Sequence, residues 1–272
     1  MKSMNRISRF SLWLFVIAFV LPLYWLFTSS VKTDQEITQF PPTIWPHHVV
    51  WSNFIKAWQV LHFGTALMNT LLVCLTVTSL IVVFATLAGY AFSKKNFYGK
   101  NVLLMFLVGT IVVPPTVLLL PLYFVITKLG MYDSLVALVL PFSITVFSIL
   151  FMKQYMDEIP DDLLEAAKID GASDWAIFTK IILPLIGPAA ASVFLIEFVN
   201  NWNSFTMPLV LLQNPQKFTI SLRLGELVSQ NVAVPWSSIM AGNVLTVLPV
   251  LVIFLLLQKY FIRGIMAGAV KG

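Results

Sequence analysis

Long stretches without a charged side chain alternate along this chain with short polar connections, and the stretches have the length of membrane crossings. A helix needs about 20 mostly apolar residues to cross the hydrocarbon of a bilayer. Such runs cover residues 10–31, 66–93, 101–127, 134–153, 181–212 and 236–260, the fifth broken by Glu197. The pattern predicts an all-α membrane protein: six transmembrane helices in a single domain over residues 1–272, with both termini on one side. The longest connection, 32–62, holds Pro41, Pro42 and Pro46, which forbid a regular helix there. Val49 to Leu61 beyond them can form a short interfacial helix. Pro114, Pro115 and Pro121 predict that the third run is kinked or unwound. The fifth run would measure about 48 Å as one straight helix, well beyond a core of about 30 Å. Glu197 lies halfway along it, and Pro208 is expected to bend it beyond Asn203.

Composition narrows the class. Of 272 residues, 58% are hydrophobic and 11% charged, against about 25% charged in soluble domains. A soluble enzyme, a disordered chain and a disulfide scaffold are excluded. The one cysteine, Cys74, excludes an internal disulfide and a multi-cysteine metal site, and is expected to be a small packing residue. Charge then orients the chain. With the N-terminus in the cytoplasm, that side collects Lys2, Arg6, Arg9, Lys94, Lys95, Lys100, Lys153, Lys168, Lys180, Lys259, Arg263 and Lys271. The outer side keeps Lys32, Lys56, Lys128, Lys217 and Arg223. Lysine and arginine concentrate in cytoplasmic loops, so both termini are placed inside. The first run follows Lys2, Arg6 and Arg9 as a signal peptide would, but no small-residue cleavage site follows, and it is read as a retained span. His47, His48 and His62 fall in the outer segment as surface histidines, and no metal site is expected.

One inner connection, 157–180, differs from its surroundings. It holds seven of the twelve acidic residues, Asp157 to Asp174. Pro160 stops the preceding helix. Asp162 with Glu165 resembles a capping box, predicting a short helix over Leu163 to Ile169. Leu163, Leu164 and Ala167 fall on one side of it. Asp170-Gly171 predicts a turn with a positive φ, and Ser173 a second N-cap leading through Trp175 and Phe178 into the fifth run.

Glu165-Ala166-Ala167, three residues, Gly171, nine residues, Ile181, one residue and Leu183-Pro184 together resemble the EAA motif of ABC-importer permease subunits. Over nearly the whole chain the sequence is similar to the MalG-like permeases of the carbohydrate-uptake branch. The matching features are Pro22, Trp25, Lys32, Asn53-Phe54, Gly89-Tyr90-Ala91-Phe92, Pro121-Leu122-Tyr123, Gly130, Asp133, Trp202-Asn203 and the terminal Gly268-Ala269-Val270-Lys271-Gly272. Val146 departs from the pattern, standing where many relatives have proline, which leaves the kink of the fourth span open.

The resemblance implies an ABC type I importer permease fold and a non-catalytic transport subunit in a bacterial or archaeal cytoplasmic membrane. Glu165, Ala166, Ala167, Asp170 and Gly171 would form the coupling helix and its turn, with Glu165 pairing to a basic residue of an ATPase. Spans four and five would rock with it. The implied partners are a second homologous permease subunit, a dimer of ATP-binding subunits, an extracytoplasmic sugar-binding protein and membrane lipid, with no nucleic acid. No cofactor is bound by this chain; ATP and magnesium sit on the ATPase. Glu197, Asn200, Asn201, Trp202 and Asn203 form a midspan polar cluster. An ionisable group at that depth must face protein or water. The cluster can line a sugar path or bond across helices.

Competing classes lack their chemistry. There is no HExxH, GxSG or GxxxxGK[ST] motif and no pair of intramembrane aspartates. The alternatives kept open are a permease for a non-sugar solute such as a polyamine, and an ion-coupled secondary transporter.

Overall fold

A computed structural model describes residues 6–229 and 234–269, with side chains over 11–228 and 234–259. Lys2 and the terminal Val270-Lys271-Gly272 lie outside the described residues, as do the side chains of Arg6, Arg9 and Arg263. All regular structure among the described residues is helical. The first run is α1 (Arg6–Ser30), with Pro22 inside it. The outer segment holds α2 (Asp34–Thr38) and α3 (Ser52–Val60), and no helix forms between them across the three prolines. The second run is the unbroken α4 (Phe63–Lys94).

The next three runs are all interrupted. Helices α5 (Lys100–Thr110) and α6 (Leu119–Lys128) flank a non-helical 111–118 that contains Pro114 and Pro115. Proline has no N–H to donate to a helix. Pro121 falls in the first turn of α6, where the missing N–H has no intrahelical partner to lose. Helix α7 (Val136–Val139) continues as a 3₁₀ turn, Leu140–Phe142, then bends by 44° into α8 (Val146–Asp157). The kink therefore exists without a proline at 146. Thr145 makes it: its backbone is extended, and its side chain caps α8 by accepting from the Ser148 N–H.

After α9 (Asp161–Ile169) and α10 (Asp174–Ile177) come a π-helical turn at Phe178–Ile182 and α11 (Leu183–Leu185). A 69° bend then leads into α12 (Gly187–Trp202), followed by α13 (Thr206–Leu211). The run over 181–212, too long for one straight crossing, is thus broken near its start as well as beyond Asn203. Pro184 and Pro188 both lack a donor within one turn of Ile186, so the helix widens before the first and breaks between them. Helix α12 has 16 residues, about 24 Å. The later break falls at 203–205, ahead of Pro208. Last come α14 (Ile220–Ser229) and α15 (Trp236–Ala269). Among the described residues, three unbroken helices are long and apolar enough to cross a membrane, and up to five spans result if each bent pair is counted as one.

Contacts group the chain into two compact units, Met1–Ala66 with Leu222–Val250 and Leu67–Ser221 with Leu251–Gly272. In the first, Lys32 is buried beneath the outer segment. Its ammonium donates to the Thr43 carbonyl at 2.5 Å and lies 4.6 Å from the centre of the Trp25 ring. The Asn53 amide donates to the Ser30 and Lys32 carbonyls, and Glu36 accepts from the Thr43 hydroxyl and the His47 N–H. Burial pushes the Glu36 carboxyl up, but those two bonds with the nearby His47 and Lys32 charges outweigh it and hold it below the usual range. Asp34 caps α15 by accepting from Ser237.

The second unit has a core of Val77, Ile81, Ala85, Met152, Met156, Ile177, Ile182 and Val193. A Cβ on Gly89 would lie 2.9 Å from Met152 Cβ and 3.0 Å from the Lys153 nitrogen. Only glycine lets α4 and α8 approach so closely.

Candidate functional site

The acidic connection folds as two short helices whose ends are tightly specified. Helix α9 begins at Asp161, two residues before the expected start. Its N-cap is Pro160 and no side chain caps it, so the expected Asp162–Glu165 capping box is corrected. Pro160 holds its own backbone extended and Asp161 and Asp162 occupy the first turn, where carboxylates favour the positive end of the helix dipole. At the other end Gly171 takes φ +83. The Gly171 N–H donates to Lys168 at 3.0 Å and the Ala172 N–H to Ala167 at 2.9 Å, a Schellman closure. Ser173 caps α10 by accepting from the Ala176 N–H at 3.2 Å.

Leu164 is the anchor of α9. It is 8% exposed and joins the core with Tyr90, Met156, Ile159, Ile177 and Phe178. Burying a leucine stabilises by about 1.5–3 kcal/mol. Leu163, expected beside it, points away and is 49% exposed. Glu165, Ala166, Asp170 and Gly171 are exposed and Ala167 half-buried. No described residue pairs with Glu165. The motif thus presents its carboxylate and small residues at the surface.

Two lysines that the sequence places only as inner-loop charges hold this segment from the side. Lys94, the last residue of α4, donates to the Ile159 carbonyl at 2.6 Å and to Asp161 at 2.7 Å. Lys95 pairs with Asp174 at 2.5 Å, 5.6 Å from the centre of the Tyr90 ring. Burial pulls the Lys95 ammonium down, but Asp174 and the Tyr90 hydroxyl outweigh it and hold it above its ordinary value. A Lys-Lys pair ending one apolar run, and a cluster of seven acids elsewhere on the same side, was the available signal.

The midspan cluster splits between two faces of α12. Glu197 is 5% exposed and accepts from the Ser148 hydroxyl at 2.6 Å and the Thr145 hydroxyl at 2.8 Å. A buried carboxylate is tolerated only when hydrogen-bonded, and here the donors lie at the kink of the fourth run. Asn201 donates to the Glu197 carbonyl at 2.8 Å. Trp202 is 1% exposed and stacks on Phe198 with ring centres 5.5 Å apart, so its face is covered by protein. Asn200 and Asn203, three residues apart on the opposite side, are exposed. Asn201 also lines a cavity of about 50 Å³ with Thr70, Cys74, Ser204 and Thr219. Thr145 and Ser148 carry no sequence signal beyond being hydroxyls in an apolar run.

Away from this cluster, Asp133 (φ +54) clasps the 213–217 loop. One carboxylate oxygen accepts from the Gln213 and Asn214 N–H groups, both at 2.9 Å, and the other pairs with Lys217 at 3.0 Å. These bonds, with the lysine charge, lower its pKa to about 2.

Comparison with known proteins gives the family of this apolar helical chain. The chain belongs to the binding-protein-dependent transport system inner membrane components, whose family model matches residues 81–267. It is 30% identical over 274 aligned positions to the arabinooligosaccharides transport system permease protein AraQ of Halalkalibacterium halodurans, covering 96% of each chain. It is also 30% identical to the sn-glycerol-3-phosphate transport system permease protein UgpE of Pectobacterium atrosepticum, over 97% of this chain and 96% of that one. Among solved structures, a bacterial ABC transporter involved in import of the acidic polysaccharide alginate superposes with a TM-score of 0.83 at 22% identity, covering 96% of this chain and 100% of the matched one. The fold is therefore that of an ABC importer permease, and the chain is a membrane transport subunit.

Proposed function

We propose that the chain is one of two permease subunits of an ATP-driven importer for sugars or sugar-like solutes, and that it receives the ATPase stroke through α9. The observation that carries this reading is Glu165: exposed, without a partner among the described residues, and mounted on a helix that Leu164 and Lys94 anchor, while Lys95 holds the neighbouring α10. A rigid lever transmits displacement, whereas a loose loop would absorb it. A dimer of ATP-binding subunits docks against α9 from the cytoplasm and holds the ATP and magnesium. A second, homologous permease covers the apolar face left open, and an extracytoplasmic binding protein delivers the solute.

The carbohydrate assignment is supported by the relatives' names, which specify arabinooligosaccharides and sn-glycerol-3-phosphate. Six crossings with both termini inside follow if α5 with α6 make one broken span. The distribution of lysine and arginine supports this orientation. Of the midspan residues, Asn200 and Asn203 are the ones on this chain open to a passing solute. Glu197, Asn201 and Trp202 support the path from behind.

The test is transport and ATP turnover by the reconstituted complex after Glu165→Lys. Coupling through α9 requires both to fall while the complex still assembles. Normal uptake together with normal stimulation of ATP hydrolysis refutes the reading.

A further inference from the structure

Covalent connection ties the coupling segment to the fourth and fifth runs, which enter and leave it. The geometry ties it equally to the second. Lys94 is 4% exposed and reaches both the last turn before α9, through the Ile159 carbonyl, and the first residue of α9, through Asp161. Lys95 reaches Asp174, the first residue of α10. Consecutive residues at the end of one helix therefore hold the entrances of both helices of the segment. Between the two ion pairs, Tyr90 of α4 packs on Phe178 with ring centres 5.0 Å apart, and Phe178 packs on Trp175 at 5.5 Å. Beside Tyr90, Gly89 brings α4 against α8 at backbone distance. The end of α4 is thus fixed to the segment at two charged points and one aromatic point, and to α8, which leads into the segment, by a close helix crossing.

We propose that Lys94 and Lys95 are positioning residues for transport: they lock α4 to α9 and α10, so that the second span moves with the coupling segment as one block. The inference rests on the coupling reading above. A stroke delivered at Glu165 then reaches the second span directly, without first passing through the π-turn and the 69° bend that separate α10 from α12.

Two measurements on the reconstituted complex test this. In the first, Lys95→Asp lowers solute-stimulated ATP hydrolysis and uptake by about tenfold, and the exchanged pair Lys95→Asp with Asp174→Lys recovers to within about threefold. Uptake at the parental rate in Lys95→Asp overturns the proposal, and so does failure of the exchange to recover it in an assembled complex. In the second, Lys94→Cys with Asp161→Cys is bridged by a reducible bifunctional thiol reagent. Cys74, the chain's own thiol, is buried. A bridged complex that transports within about twofold of its reduced form supports a block that stays closed through the cycle. Arrest on bridging, released by reductant, overturns it. If Lys95→Asp prevents assembly, the bridging result decides alone. Glu165→Ala in the same preparation separates the two readings. Parental behaviour there refutes coupling through α9, whereas impaired Glu165→Ala beside a normal Lys95→Asp refutes only the block.

Discussion

Two acidic residues of this chain, Glu165 and Glu197, stand in opposite situations. Glu165 lies on an exposed ridge, with its charge unspent and its backbone held by neighbours. Glu197 is buried midway along α12 with two hydroxyls bonded to it, its charge spent on fixing the kink between α7 and α8. The contrast separates a group left at the surface from a group that maintains the fold. An exposed carboxylate adds little to folding because water already solvates it. A buried one shapes the fold, because its hydrogen bonds have no substitute at that depth.

Substitution sharpens the contrast. Glu165→Lys is expected to give the largest functional loss, about tenfold or more in coupled ATP turnover, with no shift of the thermal unfolding midpoint in detergent. An equal loss of thermal stability would break the distinction. Gly89→Leu should show the reverse, a folding defect that impairs transport only through lost protein. Its side chain must displace Met152 and the α8 backbone, costing about 1–3 kcal/mol or more, read as a lower unfolding midpoint.

Glu197→Ala is expected to destabilise by about 1–3 kcal/mol, since Thr145 and Ser148 lose their acceptor. Glu197→Gln, which keeps an acceptor oxygen, should be milder and leave solute preference unchanged. A changed preference in uptake competition would move Glu197 into the solute path. Gly171→Ala meets no steric obstacle but must adopt φ +83, costing about 1–2 kcal/mol, and should weaken coupling less than Glu165→Lys.

The smallest effect concerns pH. The Asp133 pKa lies at about 2, below the unfolded value of about 3.9. The clasp's contribution is therefore complete above about pH 4 and is lost as pH falls toward 2. Hydrogen exchange at the Gln213 and Asn214 amides should accelerate over that window. In Asp133→Asn it should be fast already at neutral pH and lack that transition.

Much of the coupling segment could be read from the residues. The Gly171 turn and the Ser173 cap follow from local chemistry, which depends on neighbours in the chain. The helix start was misplaced by two residues because Pro160 supplies the extended backbone that a capping side chain would otherwise mark. The spacing puts Leu163 and Leu164 on one side of the helix, yet packing against α4 and α8 leaves only one of the two adjacent leucines inside.

Apolar run lengths and the spaced motif by themselves mark a helical membrane subunit of this permease family, because each of those signals depends on the chain's own composition. That Lys94 and Lys95 grip Asp161 and Asp174 depends on partners 67 and 79 residues away in sequence. Such partners meet only when α4 packs against the segment. Neither the lysines nor the aspartates carry any local mark of their pairing, since the same charges would sit equally well in water.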